Sequence, residues 1–112
     1  MPHCVIEFSS TLDISPNNLV HVVHQGVVDS GLFDPSHIKT RAIAYDYFQL
    51  SAEYHDFIHV SIHLHYGRTV ERKKQLTQCV MKSLEKLSLS RLSITIETVD
   101  IDSDSYAKRT VT

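Results

Sequence analysis

A proline in second place carries unusual chemistry if the methionine before it is removed. Initiator methionine is commonly cleaved ahead of a small residue, and Pro2 would then expose a secondary amine on a rigid ring. An ordinary α-amino group titrates near ~8. Burial against apolar groups lowers the pKa of a cation, so a buried amine of this kind is substantially neutral near pH 7. That makes it a general base. Many chains begin Met-Pro without this consequence, so Pro2 needs partners. Three cations qualify: Lys39 and Arg41, two residues apart, and Arg68 further on. Cations near a buried amine depress its pKa further by like-charge repulsion. They also bind carboxylates, arginine with a bidentate fork. Taken singly, each is an ordinary solvated charge.

The histidines invite a metal. His59, His63 and His65 fall on one face of a strand pattern. Residues two apart on a strand lie ~7 Å apart, so His63 and His65 have chelating spacing, while His59 lies ~13 Å from His63. They read more simply as a polar or interface face, and no metal site is expected. Cys4 and Cys79 sit inside apolar patterns and read as reduced, buried thiols. A disulfide framework or zinc site would want more cysteines at closer spacing.

The elements that must position these groups follow from periodicity. Cys4 to Phe8 alternates as a short strand, with Cys4, Ile6 and Phe8 on one face and His3, Val5 and Glu7 on the other. Pro16 suits a first helical turn, with Ser15 as N-cap. Leu19, Val22, Val23, Gly26, Val27 and Ser30 share one face of that helix, and Gly31 stops it. Asp34-Pro35-Ser36 is turn chemistry. Ile38 to Leu50 is β-rich and carries Lys39 and Arg41 at its start. Phe57 to His65 is the clearest strand, with Ile58, Val60, Ile62 and Leu64 on its apolar face. Gly67-Arg68 breaks it. Thr69 caps a second helix with Glu71 in its first turn and a buried stripe of Val70, Leu76, Cys79, Val80, Ser83, Leu84 and Leu87. A last strand runs from about Leu92 to Val99. The tail from Asp100 is polar and reads as an arm or a disordered end.

The order is β-α-β twice, an α+β arrangement over one domain, residues 1–112. Two such units share one four-stranded sheet with both helices on one face and right-handed crossovers. The first strand of each unit is then central. The other sheet face carries Val5, Ile43, Tyr45, Tyr47, Phe57 and His59. Such a mixed apolar and aromatic surface is expected to be buried between subunits.

Composition excludes several classes. The chain has 112 residues, 42% hydrophobic and 21% charged, as a modest globular core requires. A net charge of −2 without a basic run gives no footprint for nucleic acid or an anionic membrane. No apolar run approaches the ~20 residues of a membrane helix. The amino-terminal stretch lacks a basic region and carries Glu7, unlike a signal peptide. Together with the reduced thiols this points to the cytoplasm.

Four segments resemble the 5-carboxymethyl-2-hydroxymuconate isomerase family of the tautomerase superfamily. They are Pro2-His3-Cys4-Val5-Ile6-Glu7, then Gly31-Leu32-Phe33 followed by Ile38-Lys39-Thr40-Arg41, then His55-Asp56-Phe57-Ile58-His59-Val60, then Gly67-Arg68-Thr69-Val70-Glu71-Arg72. None is specific alone; together, in order, they cover nearly the whole chain up to the last strand. The resemblance implies a tautomerase-like fold and a homotrimer. It implies Pro2 as the base that shuttles a proton between a dienol hydroxyl and a carbon, in the catabolism of aromatic compounds. It also implies arginines that hold a small carboxylate substrate, with no metal or organic cofactor. Arg68 matches one such arginine. For the other, the family pattern has two arginines two apart where this chain has Lys39 and Arg41, and either is a candidate. The chain has no Trp, where the family pattern has an aromatic on the second strand; Tyr45, Tyr47 and Phe48 are the alternatives. The competing class is a tautomerase-like oligomeric binding protein that is non-catalytic or of different specificity, since fold alone does not determine function.

Overall fold

A computed structural model describes residues 2–112; Met1, and with it the expected cleavage, lies outside them. The elements are β1 (His3–Ser9), α1 (Pro16–Asp29), a 3-10 turn (Pro35–His37), β2 (Lys39–Tyr45), β3 (Asp56–His65), α2 (Val70–Glu85) and β4 (Leu92–Ile101). The strands form one sheet in the order β2-β1-β3-β4. β1 pairs parallel with β2 and antiparallel with β3, and β3 pairs parallel with β4. The first strand of each unit is central, as the repeated element pattern requires.

Alternation on the two central strands places the core. Cys4, Ile6 and Phe8 of β1 and Ile58, Val60, Ile62 and Leu64 of β3 are buried in one cluster with Leu19, Val23 and Val27 of α1 and Leu76, Val80 and Leu84 of α2. Each such side chain contributes ~1.5–3 kcal/mol by leaving water. Both helices therefore lie on one face. The opposite face stays open, with Ile43 half exposed.

The helices meet closely at Gly26. A Cβ there would stand 2.9 Å from the Val80 Cα and 3.1 Å from the Ser83 Cβ. The Ser83 hydroxyl donates to the Val22 carbonyl at 2.7 Å, fixing the same crossing. Gly26→Ala is expected to destabilise. Overpacking costs ~1–3 kcal/mol, against ~1 kcal/mol of helix propensity gained. Urea unfolding is expected to show a lower midpoint at unchanged slope.

Several boundaries differ from the periodicity reading, each for a structural reason. β2 stops at Tyr45 rather than Leu50, because its neighbour β1 ends there: Ser9 of β1 pairs with Tyr45. Tyr47 accordingly lies off the sheet and is almost fully exposed. β4 runs on to Ile101, opposite His65 at the end of β3. Val70 is exposed because it precedes Leu76 by six residues, out of phase with the stripe. Lys73, three before Leu76, occupies the stripe instead and pairs with Asp100 at 3.0 Å. Ser15 ends the helix without a side-chain cap, whereas Thr69 accepts from the Arg72 amide at 3.3 Å. Cys4 is buried as expected, but Cys79 only partly so.

Candidate functional site

One end of the sheet gathers the groups singled out above. β1 and β2 both start there, and the Lys39 amide donates to the Pro2 carbonyl at 3.0 Å. β3 runs the other way, with His63 opposite His3, so the loop carrying Gly67 and Arg68 emerges at that same end. The loop after α1, with Phe33, arrives there too. Its arrival is recorded by a contact: the Arg68 guanidinium carbon stands 4.5 Å from the centre of the Phe33 ring. A cation over an aromatic face at that distance is attracted to the ring. Gly67, at φ +113°, makes the turn that delivers Arg68, a conformation L side chains rarely adopt.

Pro2 is fully buried, in phase with Cys4, Ile6 and Phe8. Lys39 and Arg41 lie in register with His3 and Val5, on the open face of the sheet. The cations thus do not form one cluster. Arg68 stands at the rim on Phe33, while Arg41 reaches His3, its Nη1 3.3 Å from the imidazole Nδ1. The other imidazole nitrogen of His3 lies 2.9 Å from the Tyr106 hydroxyl. His3, Arg41, His63 and Ile101 line a hollow of about 250 Å³ on this face.

Two of these residues escaped the sequence reading as site residues. His3 was visible on the open face but indistinguishable from any polar alternation residue. Tyr106 lay in the polar tail, where nothing in the local pattern signals a return to the sheet. The tail folds back through a turn over Asp102–Ser105. Tyr106 then packs edge-on against His65, with centroids 4.9 Å apart.

Burial is the main cause that holds the His3 imidazole below its ordinary value of 6.5, with the charges of Arg41 and Lys39 adding to it, followed by His63 and the chain terminus. The consequence for stability has a definite sign. Below pH 6.5 the unfolded chain protonates His3 more readily than the folded one, so acidification costs stability there. His3→Gln is expected to flatten that loss, read as the shift in urea midpoint between pH 7 and pH 5. Beneath the sheet, burial pushes the Cys4 thiol up to about 11, despite Thr40 and Arg41 nearby, so it is not a ready nucleophile.

The other histidines are separately engaged. His59 contacts Thr95 and Glu97, each at 2.6 Å, and its hydrogen bond holds the Glu97 carboxyl below the usual carboxylate range. His65 contacts Ser103 at 3.0 Å. Among the described residues no three His, Cys, Asp or Glu side chains converge in a way that would hold a metal ion. No helix among the described residues is long and apolar enough to cross a membrane. A buried terminal-proximal proline with separate cations at the sheet end suits proton transfer on a small anionic substrate.

The family model described as 5-carboxymethyl-2-hydroxymuconate isomerase matches residues 2–111. No match was found among curated protein sequences. Solved structures with the same fold include a 5-carboxymethyl-2-hydroxymuconate delta-isomerase, at 15% identity and TM-score 0.79 over 99% of this chain and 89% of that one. A 5-carboxymethyl-2-hydroxymuconate isomerase from Deinococcus radiodurans R1 aligns at 18% identity and TM-score 0.80, over 98% and 90% of the two chains. A fused 4-OT wild-type symmetric trimer aligns at 12% identity and TM-score 0.75, over 96% and 93%. At such identities the structural likenesses speak for the fold.

Proposed function

This chain belongs to the 5-carboxymethyl-2-hydroxymuconate isomerase family and is an isomerase of the tautomerase superfamily. From that premise we propose that it converts a dienol carboxylate like 5-carboxymethyl-2-hydroxymuconate into its unsaturated ketone, with the Pro2 amine as proton shuttle. The observation that carries this reading is the complete burial of Pro2 at the sheet end where Arg68 and Arg41 are held. Neutral Pro2 accepts the proton of the C2 hydroxyl. The oxygen electrons form the C2 carbonyl, the C2–C3 double bond moves to C3–C4, and the electron pair of the C4–C5 double bond takes the proton back from Pro2 at C5. Negative charge develops on the C2 oxygen and its carboxylate, where Arg68 and Arg41 or Lys39 stabilise it. One group makes both transfers, so the scheme calls on neither a metal nor an organic cofactor.

We place this step in the breakdown of aromatic compounds, in a cytoplasmic homotrimer. The open face of the sheet, with Ile43 50% and Phe48 37% exposed, supports burial between copies. A structural relative described as a trimer supports that number.

The test is ultraviolet turnover of the dienol by chain whose Met1 has been removed, as verified by mass, against chain carrying an uncleaved amino-terminal extension. Rapid turnover by the first and none by the second is expected. Equal rates in the two would end the amine mechanism, and no turnover in either would end the substrate assignment.

A further inference from the structure

The contacts of His3 favour one tautomer of the neutral ring. Arginine donates and never accepts, so the Nδ1 atom facing Arg41 at 3.3 Å must carry a lone pair. The ring proton of a neutral imidazole then sits on Nε2, which donates to the Tyr106 oxygen at 2.9 Å. The chain of contacts runs from the carboxy-terminal segment, through the residue next to Pro2, to a cation of the proposed site.

We propose that Tyr106 is a positioning residue: its hydroxyl holds neutral His3, and His3 holds the Arg41 guanidinium ready for a substrate carboxylate. This rests on the reading of Arg41 as a carboxylate-binding side chain. Without the His3 contact, an exposed arginine would have to give up rotamer freedom when it bound. The hollow of about 250 Å³ beside Arg41 and His63 is where that carboxylate would enter. Tyr106 is itself steadied, edge-on to His65, whose Nδ1 meets the Ser103 hydroxyl at 3.0 Å.

The device is sensitive to acid. The groups facing His3 are Lys39 and Arg41 from β2, His63 from β3 and Tyr106 from the tail. Protonated His3 would present a donor on Nδ1 and repel Arg41, so the hold is lost as His3 titrates. Binding of a dicarboxylate therefore weakens on the acid side more than Arg41 alone would dictate.

The experiment combines two readouts on the full chain. Ring-nitrogen NMR identifies the His3 tautomer, and calorimetry measures binding of adipate, a saturated dicarboxylate that cannot be turned over. Native protein is expected to show the proton on Nε2. Tyr106→Phe keeps the ring on His65 and removes only the hydroxyl; adipate should bind about 2- to 10-fold more weakly, the range of one hydrogen bond. KM for the dienol should rise by the same factor, with kcat nearly unmoved. A proton on Nδ1 in native protein, absence of adipate binding, or equal adipate affinity in Tyr106→Phe would overturn the proposal. A protein that shows the tautomer and the weakened adipate binding but turns over no dienol would keep this relay and lose the isomerase substrate.

Discussion

Pro2→Ala is expected to lower dienol turnover by about a hundredfold or more, with most of the loss in kcat. A positioned acid–base group contributes ~10²–10⁴ in rate, and in the proposed scheme the same nitrogen makes both transfers. Alanine keeps an amine at the terminus, so the variant tests the group's basicity and placement rather than its presence. The ring of Pro2 fixes φ and is fully buried. A primary amine on a rotatable bond keeps neither the orientation nor the exclusion of water. The strand itself should persist, because the Lys39 amide bonds the residue 2 carbonyl, which alanine retains. Circular dichroism of the variant should therefore match the native chain. Equal rates for the two proteins would show that the proton moves elsewhere.

The fold was legible because its determinants are local and periodic. Ile58, Val60, Ile62 and Leu64 alternate without interruption, and all four are buried. Leu19, Val23 and Val27 repeat at helical spacing and face the same core. What the pattern misplaced were ends, and those are decided by partners. β2 ends where β1 ends, and β4 continues as far as β3 does. No feature of residues 46–50 or 100–101 alone records either fact. Val70 shows the same limit on a helix, since a valine about a third of a turn out of phase with the buried stripe is an apolar letter left largely exposed.

The candidate site was legible only in part, for a related reason. Pro2, Lys39, Arg41 and Arg68 stand out by residue type. Their arrangement does not, because it depends on strand direction and on which face each residue takes. The structure divides them: Pro2 points with the core residues, Lys39 and Arg41 lie on the open face, and Arg68 stands at the rim. The His3–Tyr106 contact spans 103 positions in the chain. No window of sequence contains both partners, so spacing could not reveal it.

Arg68→Ala is expected to have the second largest effect, about 10²–10³ in kcat, the cost of removing one donor aimed at developing negative charge. Two features argue that Arg68 is placed for this rather than merely exposed. It follows a glycine at φ +113°, which lets the chain turn there and bring residue 68 to the Phe33 loop. Its guanidinium lies 4.5 Å above the Phe33 ring, which restrains the long side chain while leaving the fork edges available. Lysine keeps the turn and the charge over the ring, but it is a point charge without a planar fork to seat a carboxylate. Arg68→Lys should therefore recover only part of the loss. Its recovery should be better on a monocarboxylated enol such as phenylenolpyruvate than on the tricarboxylated dienol, because geometry matters most where several carboxylates must be seated together. Phe33→Leu removes the ring but not the charge, and should raise KM more than it lowers kcat. Steady-state kinetics of the three variants on both enols separate these contributions. If Arg68→Lys were fully active on the tricarboxylated dienol, charge alone would suffice and the planar fork would have no part in catalysis.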